Sequence, residues 1–213
     1  MMTDSAVLTA REHKVHKSKN RESKMENNSE GKIIPVAGES KVIDTILNRR
    51  SVREFTDKPV SKEDINTILN AGRWAPSGLN NQPWRFIVIR NRETIQQLSE
   101  CTNYTGIVAG APLLIATFLD TETSYNRTKD IEAIGAAIQN MLLACCELGL
   151  GGVWLGEILN QKERVNSILE CPSKLELMAA LAIGEPTPKE RTSTRKALSE
   201  IVHYEKYGQN WEE

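Results

Sequence analysis

The sequence predicts one mixed domain, α/β or α+β in class, in which helices and strands alternate along the chain. Three observations predict it. Amphipathic stretches recur between short β-branched or apolar runs, one long and almost wholly apolar helix occupies the middle, and no segment repeats another. A length of 213 residues suffices for one domain with a real core and falls short of two ordinary ones.

The first 38 residues read as a flexible polar leader and 39–213 as the folded domain. From Arg11 to Glu30 only Val15 and Met25 are apolar, with no usable periodicity. A basic arm that touches a partner is the alternative, but the charges of this stretch nearly cancel. Order begins near Lys41, where Val42, Ile43, Ile46 and Leu47 make one helical face. A second helix follows Pro59, with Ser61 as N-cap and Ile65, Ile68 and Leu69 as its buried stripe, and ends near Gly72 to Trp74. After a Pro-, Ser-, Gly- and Asn-rich loop, Trp84 to Ile89 reads as a strand and Arg92 to Cys101 as a short helix. Leu113 to Leu119 is a continuous enough apolar run to be a strand covered on both faces. The long helix spans about Asp130 to Leu148 and closes at Gly149, Gly151 and Gly152. Val153 to Leu155 then starts an extended segment, Asn160 to Leu169 is helical and Leu177 to Ile183 is a strand. The end, from Arg195, mixes a basic turn with a short helix around Ile201 and Tyr204.

Bulk properties exclude several functions. Twenty-seven Lys and Arg against 28 Asp and Glu give a net charge of −1, so nothing steers the chain toward nucleic acid or an anionic membrane. No apolar run approaches the roughly 20 residues that cross a bilayer. Cys101, Cys145, Cys146 and Cys171 have neither metal-ligand spacing nor the density of a secreted disulfide scaffold, which points to a reducing cytoplasm. His13 and His16 lie in the leader and His203 stands alone, so no metal site is expected.

Four segments carry the chemistry. Arg49-Arg50-Ser51-Val52-Arg53 places three guanidinium groups and a hydroxyl where a helix ends; arginine forks match phosphate oxygens, although cations are also favourable at any helix C-terminus. Ala75-Pro76-Ser77-Gly78-Leu79-Asn80-Asn81-Gln82-Pro83-Trp84 offers amides and hydroxyls able to read a heteroaromatic edge, or is an ordinary turn before a strand. Gly149-Leu150-Gly151-Gly152-Val153-Trp154-Leu155-Gly156-Glu157 is no dinucleotide fingerprint, because it follows a helix and opens none. A C-cap explains Gly149 but leaves Gly151 and Gly152 free to bring backbone close to a flat ligand. Arg191 and Arg195-Lys196 form a late cationic cluster that by default is a solvated tail. No Ser-His-Asp, Cys-His or paired-carboxylate pattern stands out, so the reactive group need not come from the protein.

In this order, from about residue 43 to 210, the four segments resemble the nitroreductase family of FMN-dependent NAD(P)H oxidoreductases. Arg49 to Phe55 is similar to its opening Arg-Arg-Ser-x-Arg-x-Phe, Ala75 to Trp84 to its Ala-Pro-Ser-x-x-Asn-x-Gln-Pro-Trp, and Ile134 to Gly152 to its central helix and glycine turn. Ile201-Val202-His203-Tyr204 with Tyr207-Gly208 resembles its ending. The resemblance implies an α+β fold with α/β-type layers: a mostly antiparallel sheet flanked by helices, in a homodimer that exchanges terminal segments and holds an FMN in each of two interface clefts. It implies that Arg49, Arg50, Ser51 and Arg53 hold the phosphate, ribityl and pyrimidine parts of the flavin, with Arg195 completing the phosphate site. Pro76, Ser77 and Asn80 would come from the partner, Gln139 from the central helix, and the backbone of Trp154, Leu155, Gly156 and Glu157 would pass the isoalloxazine. One departure is Ser193, where many members carry a second basic residue. Asp120 to Asp130, with Tyr125, Arg127 and Lys129, falls where a substrate-covering excursion could lie. The implied activity is a ping-pong transfer from NADH or NADPH to a small acceptor such as a nitroaromatic, quinone or enone, with the flavin and no side chain as the catalytic group. The alternatives are a specialised use of the scaffold, in reductive dehalogenation or substrate dehydrogenation, and a non-catalytic flavin-storing or redox-sensing dimer.

Overall fold

The computed structural model describes residues 40–211, so the leader lies outside the described residues. The described residues up to Thr194 belong to one compact unit and those from Arg195 to another.

In the first unit, α1 (Lys41–Asn48) and α2 (Lys62–Arg73) start at side-chain caps, Ser40 and Ser61, whose hydroxyls accept the backbone N–H of Ile43 and Asp64. Strand β1 (Trp84–Ile89) is followed by α3 (Arg92–Ser99), α4 (Thr105–Gly110), β2 (Leu113–Asp120) and the 21-residue α5 (Arg127–Glu147). Then come β3 (Gly151–Leu155), a 3₁₀ turn (Glu157–Gln161), α6 (Lys162–Ile168) and β4 (Leu175–Gly184). The sheet is antiparallel throughout, in the order β1-β2-β4-β3.

Helices cover both faces, and strand alternation sorts the core accordingly. Leu113, Ile115 and Leu119 of β2 join Leu181 and Ile183 of β4 against Ile134, Ile138 and Met141 of α5 and Ile68 of α2. Leu114, Ala116 and Phe118 face the other way, toward Ile95, Leu98, Val108, Ile158 and Val165. All eight residues of β2 are buried. Between Thr117 and Phe118 the pairing with β4 shifts by a bulge, so Leu177 joins the same face as Ala180 and Ala182 despite its odd number.

Several boundaries differ from those the sequence predicts. Helix α5 starts three residues before Asp130 because the Asn126 side chain accepts the N–H of Lys129. Helix α4 was not foreseen: its six residues include two glycines, and no side chain caps it. The predicted helix over 160–169 divides into the 3₁₀ turn and α6.

The second unit holds α7 (Leu198–Ile201), with the Glu200 carboxylate accepting the N–H of Ala197, then a turn in which His203 pairs with Asn210. Tyr204 lies beyond the helix, its ring near Trp211. Among the described residues no helix is long and apolar enough to cross a membrane.

Candidate functional site

The arginine segment is held by β3. Ser51 pairs in parallel with Gly152, and the Val52 N–H reaches the Gly152 carbonyl at 3.1 Å. Farther along, Phe55 pairs with Pro186 and the Thr56 N–H donates to the Glu185 carbonyl at 2.9 Å. Residues 51–56 therefore lie as an added edge to the sheet.

Each glycine of the Gly149–Gly152 turn has its own reason. Gly149 takes a φ of 72°, its N–H donating to the Cys146 carbonyl while Leu150 donates to Cys145, a Schellman closure of α5. A Cβ on Gly151 would stand 2.5 Å from Val52 side-chain atoms, and one on Gly152 would stand 2.9 Å from Leu142. Small residues there let the arginine segment lie against β3.

Ser51, Arg53, Glu54, Lys189 and Arg191 line a cavity of about 170 Å³. Lys189 pairs with Glu54 at 2.7 Å, and that contact holds the Glu54 carboxyl below its usual range. Arg53 and Arg191 leave the cavity with excess positive charge, suited to an anion. Arg191, noted in the sequence only as part of a cationic tail, is thus beside Arg53, its guanidinium oriented by the carbonyls of Thr187 and Lys189.

The neighbouring arginines serve the helix end. Arg49 is the C-cap of α1, and Arg50 donates from Nη1 to the carbonyls of Leu47 and Arg49 at 2.6 and 3.0 Å. Arg50 Nε is buried with no hydrogen-bond partner among the described residues, a donor available to a bound group.

Trp154 is 43 % exposed and extends over Gly135 of α5, where an added Cβ would lie 3.7 Å from its ring. With Ile134, Gly135, Ile138, Leu159, Lys162 and Met178 it borders a second hollow, of about 360 Å³. Leu155 is buried in the core and Gly156 is exposed. The Glu157 side chain is committed elsewhere: it accepts from the Thr102 hydroxyl, the Asn103 backbone and amide, and Asn160, bonds that hold it ionised below its ordinary pKa. Only the backbone there is left to face a ligand. Gln139 is half-buried on α5.

The loop of Pro76, Ser77 and Asn80 takes its unusual dihedrals at residues other than its glycine. Leu79, Asn80 and Gln82 take the left-handed conformation, at φ 53°, 53° and 48°. Gly78 instead makes room for a side chain, since a Cβ there would collide with the Tyr125 hydroxyl. Asn81, read from the sequence as one of the loop's amides able to reach a ligand, instead ties the loop to the start of α5 through the Thr123 carbonyl and Asp130. No local pattern signals that bond, because its partner is 49 residues away.

The structure brings the 49–53 segment and the 151–157 segment together in one chain and leaves the 76–80 loop apart. Asn81 is fixed at the first turn of α5 and the arginine segment at Gly152, past its last turn; the helix between them is about 30 Å long. Arg195 stands at the head of the second unit.

A model of the nitroreductase family matches residues 46–114 and 96–185. The chain belongs to the nitroreductase family. A nitroreductase structure from Desulfovibrio desulfuricans, crystallised in complex with FMN, is 47 % identical, covers 80 % of this chain and 99 % of its own, and superposes with a TM-score of 0.75. A protein of Archaeoglobus fulgidus described as an NADH dehydrogenase or NAD(P)H nitroreductase is 36 % identical over 145 residues, 66 % of this chain and 83 % of its own. An NADPH-flavin oxidoreductase of Vibrio harveyi is 28 % identical over 177 residues, 78 % and 74 % of the two chains. The likeness thus extends over the arginine edge, the loop, α5 and the glycine turn of this nitroreductase family member.

Proposed function

We propose that the protein is an FMN-dependent oxidoreductase that passes electrons from NADH or NADPH to a small acceptor, a nitroaromatic, quinone or enone, by a ping-pong cycle in a homodimer. The observation that carries this reading is the laying of residues 51–56 on Gly152, which sets Ser51 and Arg53 beside Arg191 around an anion-sized cavity and next to the strand that carries Trp154. A flavin mononucleotide has the matching parts, an anionic phosphate and a flat polar ring.

The residues fit such a group. Arg53, Arg191 and the Ser51 hydroxyl would hold the anionic end, Arg49 would add to it, and the buried Nε of Arg50 offers a donor with no partner among the described residues. The Gly156–Glu157 backbone and Gln139 would border the ring. When bound, FMN supplies the hydride chemistry that no side chain here provides. The protein's part is placement, with fixed donors favouring negative charge on the ring system and an open apolar face for a flat acceptor.

The homodimer is supported by what one chain lacks. Pro76, Ser77 and Asn80 lie at the far end of α5 from Ser51, so a second copy, reversed along that helix, supplies them to the same site. The apolar face of α1 is uncovered, with Val42 66 % exposed beside Trp74 at 79 %, around a hollow of about 440 Å³ shared with Leu143 and Ala144. Leu198, Ile201, Tyr204 and Tyr207 of the second unit are exposed as well, as an arm exchanged between copies would be. In this reading 39–213 form the flavin domain. Four free cysteines suit a reducing cytoplasm.

The test is a stopped-flow comparison of NADH and NADPH reducing the purified yellow protein, followed by an acceptor panel. Rapid bleaching by one nicotinamide and return of colour with menadione or a nitroaromatic is expected. A colourless protein that takes up no FMN would end the reading.

A further inference from the structure

Asp130 is completely buried, and an anion withdrawn from water persists only where its oxygens are hydrogen-bonded. Its Oδ1 accepts the Asn81 amide at 2.9 Å; its Oδ2 accepts the Ser124 hydroxyl at 2.7 Å and the backbone N–H of Tyr125 and Asn126 at 3.1 and 3.3 Å. Burial pushes the carboxyl up, and these bonds outweigh it, so its pKa lies below the ordinary value. The position in the first turn of α5 adds the favourable end of the helix dipole.

The four donors belong to two loops. Asn81 belongs to the 76–82 loop, and Ser124, Tyr125 and Asn126 to the excursion that precedes α5. The first loop contains three left-handed residues that are not glycine, a conformation that surroundings must impose. Its own bonds, Asn80 N–H to the Ser77 carbonyl and Gln82 N–H to the Ser77 hydroxyl, both at 3.1 Å, close the turn on itself. The Asn81 amide, shared between Asp130 and the Thr123 carbonyl, and Tyr125 lying on Gly78 hold it to the start of α5, while Arg85 of β1 donates to the Gln82 carbonyl at its other end, at 3.2 Å. Tyr125 is placed by the same carboxylate. One buried anion therefore sets both the polar anchor and the steric stop of the loop.

We propose that Asp130 is a positioning residue that locks the 76–82 loop and the 121–126 excursion together, so that Ser77 and Asn80 are presented to the flavin in one geometry. This rests on the flavin reading above. Asp130→Asn keeps the shape but replaces one acceptor oxygen by a donor, which then faces either the Asn81 amide N–H or the backbone N–H groups of Tyr125 and Asn126, all of which donate to the carboxylate.

The test uses the full-length protein in four forms: wild type, Asp130→Asn, Asn81→Ala and the double variant. Amide hydrogen exchange of the flavin-free protein is expected to quicken at least tenfold at Asn80 and Gln82 in Asp130→Asn, while β2 amides keep their protection. FMN dissociation constants, from quenching of flavin fluorescence, should rise at least tenfold in either single variant and no further in the double variant, and the reduction potential of bound flavin should shift. Unchanged exchange at Asn80 and Gln82 overturns the lock. Faster exchange with unchanged FMN affinity and potential, or additive losses, overturns the positioning role. Should wild type bind no FMN at all, the flavin reading and the positioning role fall together, and the exchange data still decide whether the lock exists. If Asp130→Asn does not fold, Asn81→Ala and Tyr125→Ala carry the test, and full FMN affinity in both overturns the proposal.

Discussion

Arg53 and Arg191 face one small cavity from two parts of the chain 138 positions apart, and neither spends its charge on a carboxylate in an ion pair among the described residues. A charge-assisted hydrogen bond contributes about 1.5–3 kcal/mol, so Arg53→Ala and Arg191→Ala should each weaken FMN binding by about 10- to 100-fold with little change in melting temperature. Titration by flavin fluorescence reads this, and full affinity in Arg53→Ala would remove that residue from the anion site. Asp130 makes the other residue-scale prediction. Its folded pKa is depressed, so its stabilisation is complete above the unfolded value of about 3.9 and is lost as pH falls through that value toward the folded one. Denaturant melts between pH 3 and 7 should show wild type losing stability below about pH 4 more steeply than Asp130→Asn. Burial pushes the Cys145 thiol up to about 12, which disfavours its thiolate.

At the scale of elements, the join between the arginine edge and β3 depends on missing side chains. Gly151→Ala places a methyl 2.5 Å from Val52 atoms that are themselves buried. Overpacking of this kind costs about 1–3 kcal/mol, and here the strain falls on the segment that carries Ser51 and Arg53. Gly151→Ala should lower the melting temperature and weaken FMN binding together. Gly156→Ala has nothing within 4 Å of the new methyl and a negative φ, so the flavin-free protein should melt unchanged. Differential scanning calorimetry of the two variants checks the contrast; equal melting temperatures would mean that the edge does not need Gly151. Helix α5 is the element that spaces the rest, packing on α2 and the sheet along one side and ending in a glycine closure that turns the chain directly into β3.

At the scale of the whole molecule, an apolar face on α1 and exposed Leu198, Ile201, Tyr204 and Tyr207 are surfaces that a soluble monomer rarely leaves open. Sedimentation should give twice the 23.8 kDa chain mass. Val42→Glu combined with Trp74→Glu should shift the protein toward monomer and remove bound FMN at the same time, because the 76–80 loop then has no neighbouring site to complete. A monomer that retains FMN would sink the shared-site arrangement.

Sequence alone determined the helices and strands whose signals are local. Ser61 before an apolar stripe, the β-branched run Trp84 to Ile89, the two-sided apolar run of β2 and the glycine after Leu148 all act within a few residues, and each appears where its pattern places it. The four site segments were legible only as candidates, since arginine forks, amide-rich loops and clustered glycines each also fit an ordinary helix end, turn or cap until the family resemblance joined them. What the tertiary structure decided is which of these meet. Gly151 is small because of Val52, Gly78 because of Tyr125, and Asn81 matters because of Asp130, all contacts between residues far apart in the chain. The arginine edge joined the β3 end while the Ser77 loop stayed at the opposite end of α5, because a helix is stiff and its length fixes the distance between what packs at its two ends.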